Sequence, residues 1–453
     1  MIEPKIFRQY DIRGVWGKDF TVEAVRSIAA AYAVYLKDEM KKDSLTVTIG
    51  HDARTSSPEI DTALTDVLTH SGVNVINLGM CPTPLQYFSL HTLQCDGGVM
   101  ITGSHNPPEF NGLKLSVGKE TLFGDKIQDI LKLIQSGRKT TGTGKARPHD
   151  IVTDYIAYQT DKFKQGFKGL KVVIDAGNGV GGMVGGPILK ALGADVTELF
   201  CDPDGRFPNH HPDPVVAENL RFLIAKVKET GAHVGIGYDG DADRIGVVDE
   251  DGGVIWGDSL MIVFSRDILK TNKGARVIGE VKCSQTLYDD VAAHGGEPIM
   301  WMTGHSLIKK KMKDSGALLA GEMSGHIFFA DRYFGFDDAI YASLRLLEIM
   351  RGEGEPYSVK RLLADVPKLY STPEIRFDTP DEVKFQIVER VKAAFKGYDV
   401  NEIDGVRVKF PDGWGLIRAS NTQPALVMRF EANSPEALTR IRSFVEGELN
   451  KLL

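Results

Sequence analysis

The stretch LTVTIGHDARTSSPEIDTALTDVLTHSGVNVINL, residues 45–78, decides the class of fold. It opens on a β-branched run at 45–49 and passes through apolar residues at helical spacing over 58–69. It closes on a second short apolar run at 73–78. Apolar runs of that length on either side of a 3.6-residue period read as strand, helix, strand. Ser57 is expected to cap the helix, with Pro58 at its first position, where a missing N–H costs nothing. Two strands joined through a helix lie parallel, so this is an α/β unit.

The pattern recurs. Lys171-Val-Val-Ile-Asp175 opens a second unit, with a helix expected near 182–192 and a strand at 194–200, and a third unit opens at 275–282. After the turn-rich Arg351-Gly-Glu-Gly-Glu-Pro356 and a helix leading to Val366, the order becomes strand, helix (381–395), two strands, helix (435–452). That order describes an α+β domain with antiparallel pairing. The expected architecture is three duplicated mixed α/β domains followed by a smaller α+β C-terminal domain, arranged around a central cleft. The domains are expected at 1–150, 151–252, 253–366 and 367–453, a number that suits 453 residues.

Composition narrows the function. The chain is 42% hydrophobic and 25% charged, with a formal net charge of -7, which argues against a nucleic-acid partner because that would need a clustered basic face. The densest basic run, Lys309, Lys310, Lys311 and Lys313, reads as one solvated helix face. Cys81, Cys95, Cys201 and Cys283 are scattered, without a Cys-x-x-Cys pair for zinc or redox work, and suit a reducing cytoplasm. Met1-Ile-Glu-Pro-Lys5 lacks the apolar run of a signal peptide, and no stretch approaches the ~18 apolar residues of a membrane span. A cytoplasmic protein without membrane contact is expected.

Four loops carry candidate chemistry. Thr102-Gly-Ser-His-Asn-Pro-Pro108 follows the apolar Val99-Met-Ile101 and so lies at the carboxyl end of a strand, where open α/β sheets bind ligands. A serine hydroxyl becomes a nucleophile only beside a base and cations, and His105 and Lys114 are near enough in sequence to supply them. The same letters also describe an ordinary polar turn. Asp239-Gly-Asp-Ala-Asp-Arg244 places carboxylates at every second position, which on an extended segment point one way and converge on a hard cation, magnesium in first place. A calcium-binding EF-hand shares the Asp-x-Asp-x-Asp opening, but Arg244 stands where its glycine belongs and the flanks read as strands.

Gly321-Glu-Met-Ser-Gly-His326 sets Glu322 and Ser324 on one side, suited to neighbouring sugar hydroxyls, although a lone histidine such as His326 is more often structural. Arg418-Ala-Ser-Asn-Thr-Gln-Pro424 combines a guanidinium fork, the hydroxyls of Ser420 and Thr422, and turn N–H groups into a phosphate cradle, or else a polar hairpin turn. No Gly-x-x-x-x-Gly-Lys occurs, so nucleotide hydrolysis is disfavoured.

In this order the loops resemble those of the α-D-phosphohexomutases, most closely the bacterial phosphomannomutase/phosphoglucomutase branch. Phe7-Arg-Gln-Tyr-Asp-Ile-Arg-Gly14, Asp52-Ala-Arg-Thr-Ser-Ser57, Asp204-Gly-Arg-Phe-Pro-Asn-His-His-Pro-Asp-Pro214 and Thr303-Gly-His-Ser306 extend the similarity over the whole chain. The resemblance implies a phosphoserine at Ser104, with magnesium held by that phosphate and by Asp239, Asp241 and Asp243. It implies phosphoryl exchange between O1 and O6 of a hexose phosphate through a hexose 1,6-bisphosphate, glucose 1,6-bisphosphate being the activator.

By matching position, Lys114, His326 and Arg13 are the candidates for moving the sugar proton, and Arg244 neutralises charge. Glu322, Ser324 and His305 are implied for the sugar, and Arg418, Ser420, Asn421, Thr422, Tyr10 and Lys282 for phosphate. Met323 looks like the mannose/glucose branch more than the glucosamine branch. The alternatives are a phosphoglucosamine mutase and a serine-dependent sugar phosphatase. A monomer or weak homo-oligomer is expected.

Overall fold

The computed structural model describes residues 2–452. Three of its sheets repeat one plan. Leu45–His51 is flanked in parallel by Val73–Met80 and Gly97–Ile101, and Gly97–Ile101 pairs antiparallel with Phe110–Val117. Lys171–Asp175 lies likewise between Asp195–Leu199 and Val234–Tyr238, with Ile245–Asp249 reversed at the edge of the latter. Arg276–Glu280 lies between Glu297–Trp301 and Leu319–Gly321, with Ile327–Phe329 reversed. The duplication expected from the sequence pattern is therefore visible as topology.

This shared plan places the chemistry. Parallel neighbours need a crossover, and helices supply it: Ser57–His70 and Thr83–Thr92 in the first unit, Gly182–Ala191 and Arg221–Thr230 in the second, Gln285–Ala293 and His305–Ser315 in the third. The third and fourth strands of each unit are antiparallel and need only a loop. Those three loops are the ones holding Ser104, the Asp239 triad and Glu322, so each sits at the carboxyl end of the same strand of its unit.

Apolar residues hold each sheet to its helices. Leu45, Val47, Ile49, Val73, Val75, Val99 and Ile101 belong to the core of the first unit, while the second and third units share one continuous core with the helix Thr83–Thr92. Each such side chain contributes about 1.5–3 kcal/mol by leaving water. The first sheet is extended by Ile12–Val15, antiparallel to Phe110–Val117, and by Ala146–Pro148. The second sheet runs on to Val254–Ile255, beyond residue 252.

The fourth sheet is antiparallel throughout, built on Ala425–Ala432, Gly413–Ala419 and Val406–Phe410, and helices Asp381–Ala394 and Pro435–Asn450 pack against it. The sequence pattern accounts for two of these strands and misses Val406–Phe410. Arg407 is the reason: it is 4% exposed, donates to the carbonyls of Val281 and Cys283, and stacks 3.8 Å from the Trp414 ring. The polar side of the apolar–polar alternation there is buried at Arg407 and reaches water only at Lys409.

Other expectations are corrected. Ser57 is the first residue of its helix and does not cap it; its hydroxyl donates to Asp52 Oδ1 at 2.8 Å. The helix before Val366 is the short Val359–Leu362, and the long one, Ala339–Gly352, precedes the turn. Of the lysine run, Lys310 and Lys313 are exposed, but Lys309 points inward to Asp337 at 3.2 Å and Lys311 covers the Trp301 ring. Among the described residues no helix is long and apolar enough to cross a membrane.

Candidate active site

Ser104 follows the strand Gly97–Ile101 with φ +49°, the left-handed region, which costs a residue with a Cβ of order 1–3 kcal/mol. Its surroundings enforce that backbone. The Ser104 N–H donates to Thr102 Oγ1 at 2.7 Å, and its carbonyl accepts from Arg54 at 2.8 Å. Arg54 is 1% exposed and also donates to the carbonyls of Asn106 (2.6 Å), Pro107 (2.5 Å) and Phe110 (2.8 Å), while Asp52 accepts from its Nε at 3.1 Å. One side chain thus shapes the whole loop. Neighbouring glycines are set by that packing: a Cβ on Gly103 would lie 2.3 Å from the Arg54 guanidinium, and one on Gly240 2.5 Å from the Ser104 carbonyl oxygen.

Gly240 belongs to the acidic loop, so the two loops touch. Carboxylate oxygens of Asp239, Asp241 and Asp243 lie within 4.8 Å of one another, all fully buried. They converge by a turn and not by strand alternation, since the strand ends at Tyr238 and Ala242 takes φ +59°. Asp239 Oδ1 accepts from the N–H groups of Asp243 and Arg244 at 3.1 Å each. Asp241 Oδ2 accepts from Thr83 (2.6 Å), Thr102 (3.0 Å) and Lys114 (3.0 Å), and Lys114 also donates to Asp243 Oδ2 at 2.5 Å.

Oδ1 of Asp241 and Oδ1 of Asp243 are buried with no partner. Unpaired anionic oxygens out of water are costly, and a hard divalent cation is the ligand that suits such donors. Burial and the charges of Asp241 and Asp243 push the Asp239 carboxyl well above its ordinary value. Burial also raises Asp241, but the Lys114 ammonium and the Thr83 hydroxyl outweigh it and hold that group below the usual range. Lys114 is held well above its ordinary value, because the two carboxylates outweigh its own burial.

Ser104 Oγ lies 3.2 Å from Asp239 Oδ2 and 3.1 Å from His105 Nδ1. Burial, together with the positive charges of Arg244 and Arg13, pushes the His105 imidazole well below its usual value, so it stays neutral beside the hydroxyl. Arg13 approaches the same loop, donating to Asn106 Oδ1 at 3.2 Å and to Asp11 at 2.5 Å, and its Nε is buried without a partner.

The loop after Leu319–Gly321 brings His326 to Arg244, whose Nε donates to His326 Nε2 at 2.9 Å. A guanidinium has no acceptor, so Nε2 carries the lone pair and the ring proton sits on Nδ1, 3.1 Å from Asp337 Oδ2. Asp337 also faces Lys309 (3.2 Å) and His305 (3.7 Å). Burial raises it, but Lys309 and His326 outweigh burial and keep it ionised. Glu322 accepts from the Gly304 N–H at 2.7 Å and from the Ser324 hydroxyl at 2.8 Å. Beneath them Glu280 accepts from the Lys282 N–H and the Thr303 hydroxyl, both at 2.8 Å.

The fourth loop is the turn between Gly413–Ala419 and Ala425–Ala432. Ser420 Oγ accepts from the N–H groups of Thr422 (3.3 Å) and Gln423 (3.1 Å), and the Thr422 hydroxyl stands 3.5 Å from it. Arg418 gives its Nε to Asp404 at 2.9 Å and leaves a buried NH2 group without a partner. Asn421 donates to the Tyr10 hydroxyl at 2.7 Å, which donates in turn to the Thr303 carbonyl at 2.7 Å. Lys282 Nζ meets Glu374 at 3.0 Å.

A path of contacts joins all four loops. It runs from Ser104 through Asp239 and Arg244 to His326, then by ring packing to His305 (5.5 Å between ring centres) and Tyr10 (5.9 Å), and finally to Asn421. Sequence reasoning assigned no role to Arg54, Thr83, Glu280, Asp337, Glu374 or Asp404, and read Lys309 as part of a solvated helix face. The only advance signal was the Asp52-Ala-Arg54 segment, met as part of a family resemblance.

The chain matches family models described as phosphoglucomutase/phosphomannomutase, alpha/beta/alpha domain I at residues 4–141, domain II at 153–253, domain III at 256–370 and the C-terminal domain at 374–448. It is 44% identical to a phosphomannomutase/phosphoglucomutase of Pseudomonas aeruginosa over 98% of this chain and 95% of that one. A phosphoglucomutase of Neisseria gonorrhoeae is 46% identical over 97% and 95%. The crystal structure of a phosphoglucomutase/phosphomannomutase family protein from Burkholderia thailandensis superposes with a TM-score of 0.92, at 42% identity and covering 100% and 98% of the two chains. With four family models matched along the chain and relatives this similar over nearly its full length, the chain belongs to the phosphoglucomutase/phosphomannomutase family.

Proposed function

We propose that this protein reversibly moves a phosphoryl group between O1 and O6 of mannose and glucose phosphates, with Ser104 as the carrier. One observation carries the reading: a serine hydroxyl in a strained loop stands 3.2 Å from a buried carboxylate triad with two unpartnered oxygens. The four units, with the boundary between the second and third moved past Ile255, contribute one loop each. Asp239, Asp241, Asp243 and the phosphorylated Ser104 would hold magnesium, whose bound charge would neutralise phosphate oxygens and ease phosphoryl transfer.

The chain's own groups do the rest. In the loaded enzyme the Oγ–P bond breaks as a sugar hydroxyl oxygen bonds to phosphorus, and that hydroxyl gives up its proton. The resulting 1,6-bisphosphate turns over and returns its other phosphate to Ser104. Lys114, bonded to the acidic loop, and Arg244, within it, are the groups that would offset charge on the phosphoryl oxygens. Lys114 is held protonated and the Arg13 guanidinium has no acceptor atom, so among the three candidates His326 has the available lone pair once Nε2 leaves Arg244. His105, neutral at Ser104 Oγ, suits proton removal when the serine is first phosphorylated.

Glu322, Ser324 and His305 suit the sugar, the first two at O3 and O4, and Arg418, Ser420, Asn421, Thr422, Tyr10 and Lys282 suit the distal phosphate. Relatives named for mannose and glucose together, and for glucose alone, support these sugars over glucosamine. The unpaired cysteines and the net charge of -7 support a cytoplasmic enzyme that binds no nucleic acid.

Intact-mass measurement tests the carrier. A wild-type species heavier by one phosphoryl group, absent in Ser104→Ala, supports it, and a wild type that never carries phosphate overturns it. Coupled assays on mannose, glucose and glucosamine 1-phosphates, started with trace glucose 1,6-bisphosphate, are expected to favour the first two and leave free phosphate flat. Preference for glucosamine 1-phosphate, or steady phosphate release, refutes the assignment.

A further inference from the structure

The cations of the phosphate cradle are already matched by carboxylates of the chain. Lys282 is 6% exposed and Arg418 4%. Asp404 accepts from Arg418 Nε at 2.9 Å and from the Thr303 N–H at 3.0 Å, which leaves the buried NH2 of Arg418 unpartnered and available to an anion. The second carboxylate is placed differently. Glu374 Oε2 accepts from Lys282 Nζ itself at 3.0 Å, while its Oε1 accepts from Arg376 Nε at 3.0 Å, and Arg376 reaches on to Gln423 Oε1 at 2.7 Å in the phosphate loop. Glu374 enters the fourth sheet beside Ile375–Asp378, whereas Lys282 follows Arg276–Glu280 of the third.

We propose that Glu374 is an internal anion that competes with substrate phosphate for Lys282 and so keeps the cradle loose enough to release one phosphate and take the other. This rests on the mutase reading, in which the bisphosphate must let go and turn in every cycle. A phosphate dianion brought to Lys282 meets the Glu374 carboxylate at the same ammonium, and like charges within a few ångströms in a partly buried site oppose one another. Lys282, first among its neighbours, keeps the Glu374 carboxyl down at about 2, so the charge is present throughout the working pH range. A merely structural ion pair would weaken the site when broken, whereas a competing anion strengthens phosphate binding when removed.

The test is titration calorimetry of inorganic phosphate into the full chain, beside steady-state kinetics on glucose 1-phosphate. Glu374→Gln is expected to bind phosphate about three- to tenfold more tightly, with KM and kcat both lowered, while Glu374→Asp, which keeps the charge, stays within about twofold of wild type. In a Lys282→Gln background the same Glu374→Gln change is expected to have no effect on affinity, the coupling a double-mutant cycle isolates. Unchanged or weaker phosphate binding by Glu374→Gln overturns the proposal, as does the same gain with Lys282 absent. A wild type inactive on every hexose phosphate would instead refute the mutase reading, and the titration registers the two failures separately.

Discussion

Arg54 holds the carbonyls of Ser104, Asn106, Pro107 and Phe110 at once, which no backbone ladder does for a loop of this shape. Its planar fork supplies those directions and a lysine ammonium does not. Arg54→Lys is therefore expected to leave the sheet folded but relax the Ser104 backbone from φ +49°, lowering kcat about 100-fold, as small misplacements of reacting groups do, with a modest drop in melting temperature. Steady-state kinetics beside a thermal melt check this, and a kcat within about twofold of wild type would contradict it. Ser104 and the three aspartates were legible as residue types in the sequence. The roles of Arg54 and Asp337 were not, because a buried charge acts through partners that only folding brings near.

At the scale of elements, three strand-to-strand loops in equivalent positions carry the serine, the acidic triad and the sugar-loop glutamate. The segment 204–214 adds a fourth contributor that leans on these. Its His210 faces only acceptors: Nε2 meets Asp175 at 3.0 Å and Nδ1 meets the His211 carbonyl at 2.9 Å, so both nitrogens are protonated. Burial would lower this imidazole, but the hydrogen bond and charge of Asp175 outweigh it and raise its pKa. A group with a raised folded-state pKa gives its full stability below the unfolded value near 6.5 and loses it as pH rises through the folded value. His210→Gln is expected to destabilise by about 1.5–3 kcal/mol at pH 5.5, the worth of a charge-assisted hydrogen bond. That deficit should shrink as pH rises toward 9. Denaturant unfolding at a series of pH values checks it, and a deficit independent of pH would refute it.

Across the whole molecule, Tyr10 is the residue where three units meet, its hydroxyl lying between the Thr303 carbonyl and Asn421. Tyr10→Phe removes both hydrogen bonds without altering the ring that packs on His305. KM for hexose phosphate is expected to rise about five- to tenfold, as for the loss of one to one and a half kcal/mol, with kcat little changed. Kinetics with and without the variant decide it; an unchanged KM would show that the Tyr10 bridge does not help form the cradle.

Periodicity alone determined that this chain builds α/β units and ends in an α+β unit, because apolar spacing is a local property that survives into the folded state. The chemistry-bearing loops were likewise readable, since their residue types are written consecutively. Only the tertiary structure decided that the acidic loop converges through a left-handed Ala242, that Lys309 turns inward to Asp337, that Val406–Phe410 is a strand around a buried Arg407, and that Glu374 and Asp404 match the cradle's cations. Each of these depends on charges or backbones distant in sequence meeting out of water, where an unpaired group is costly, and no local pattern encodes its partner.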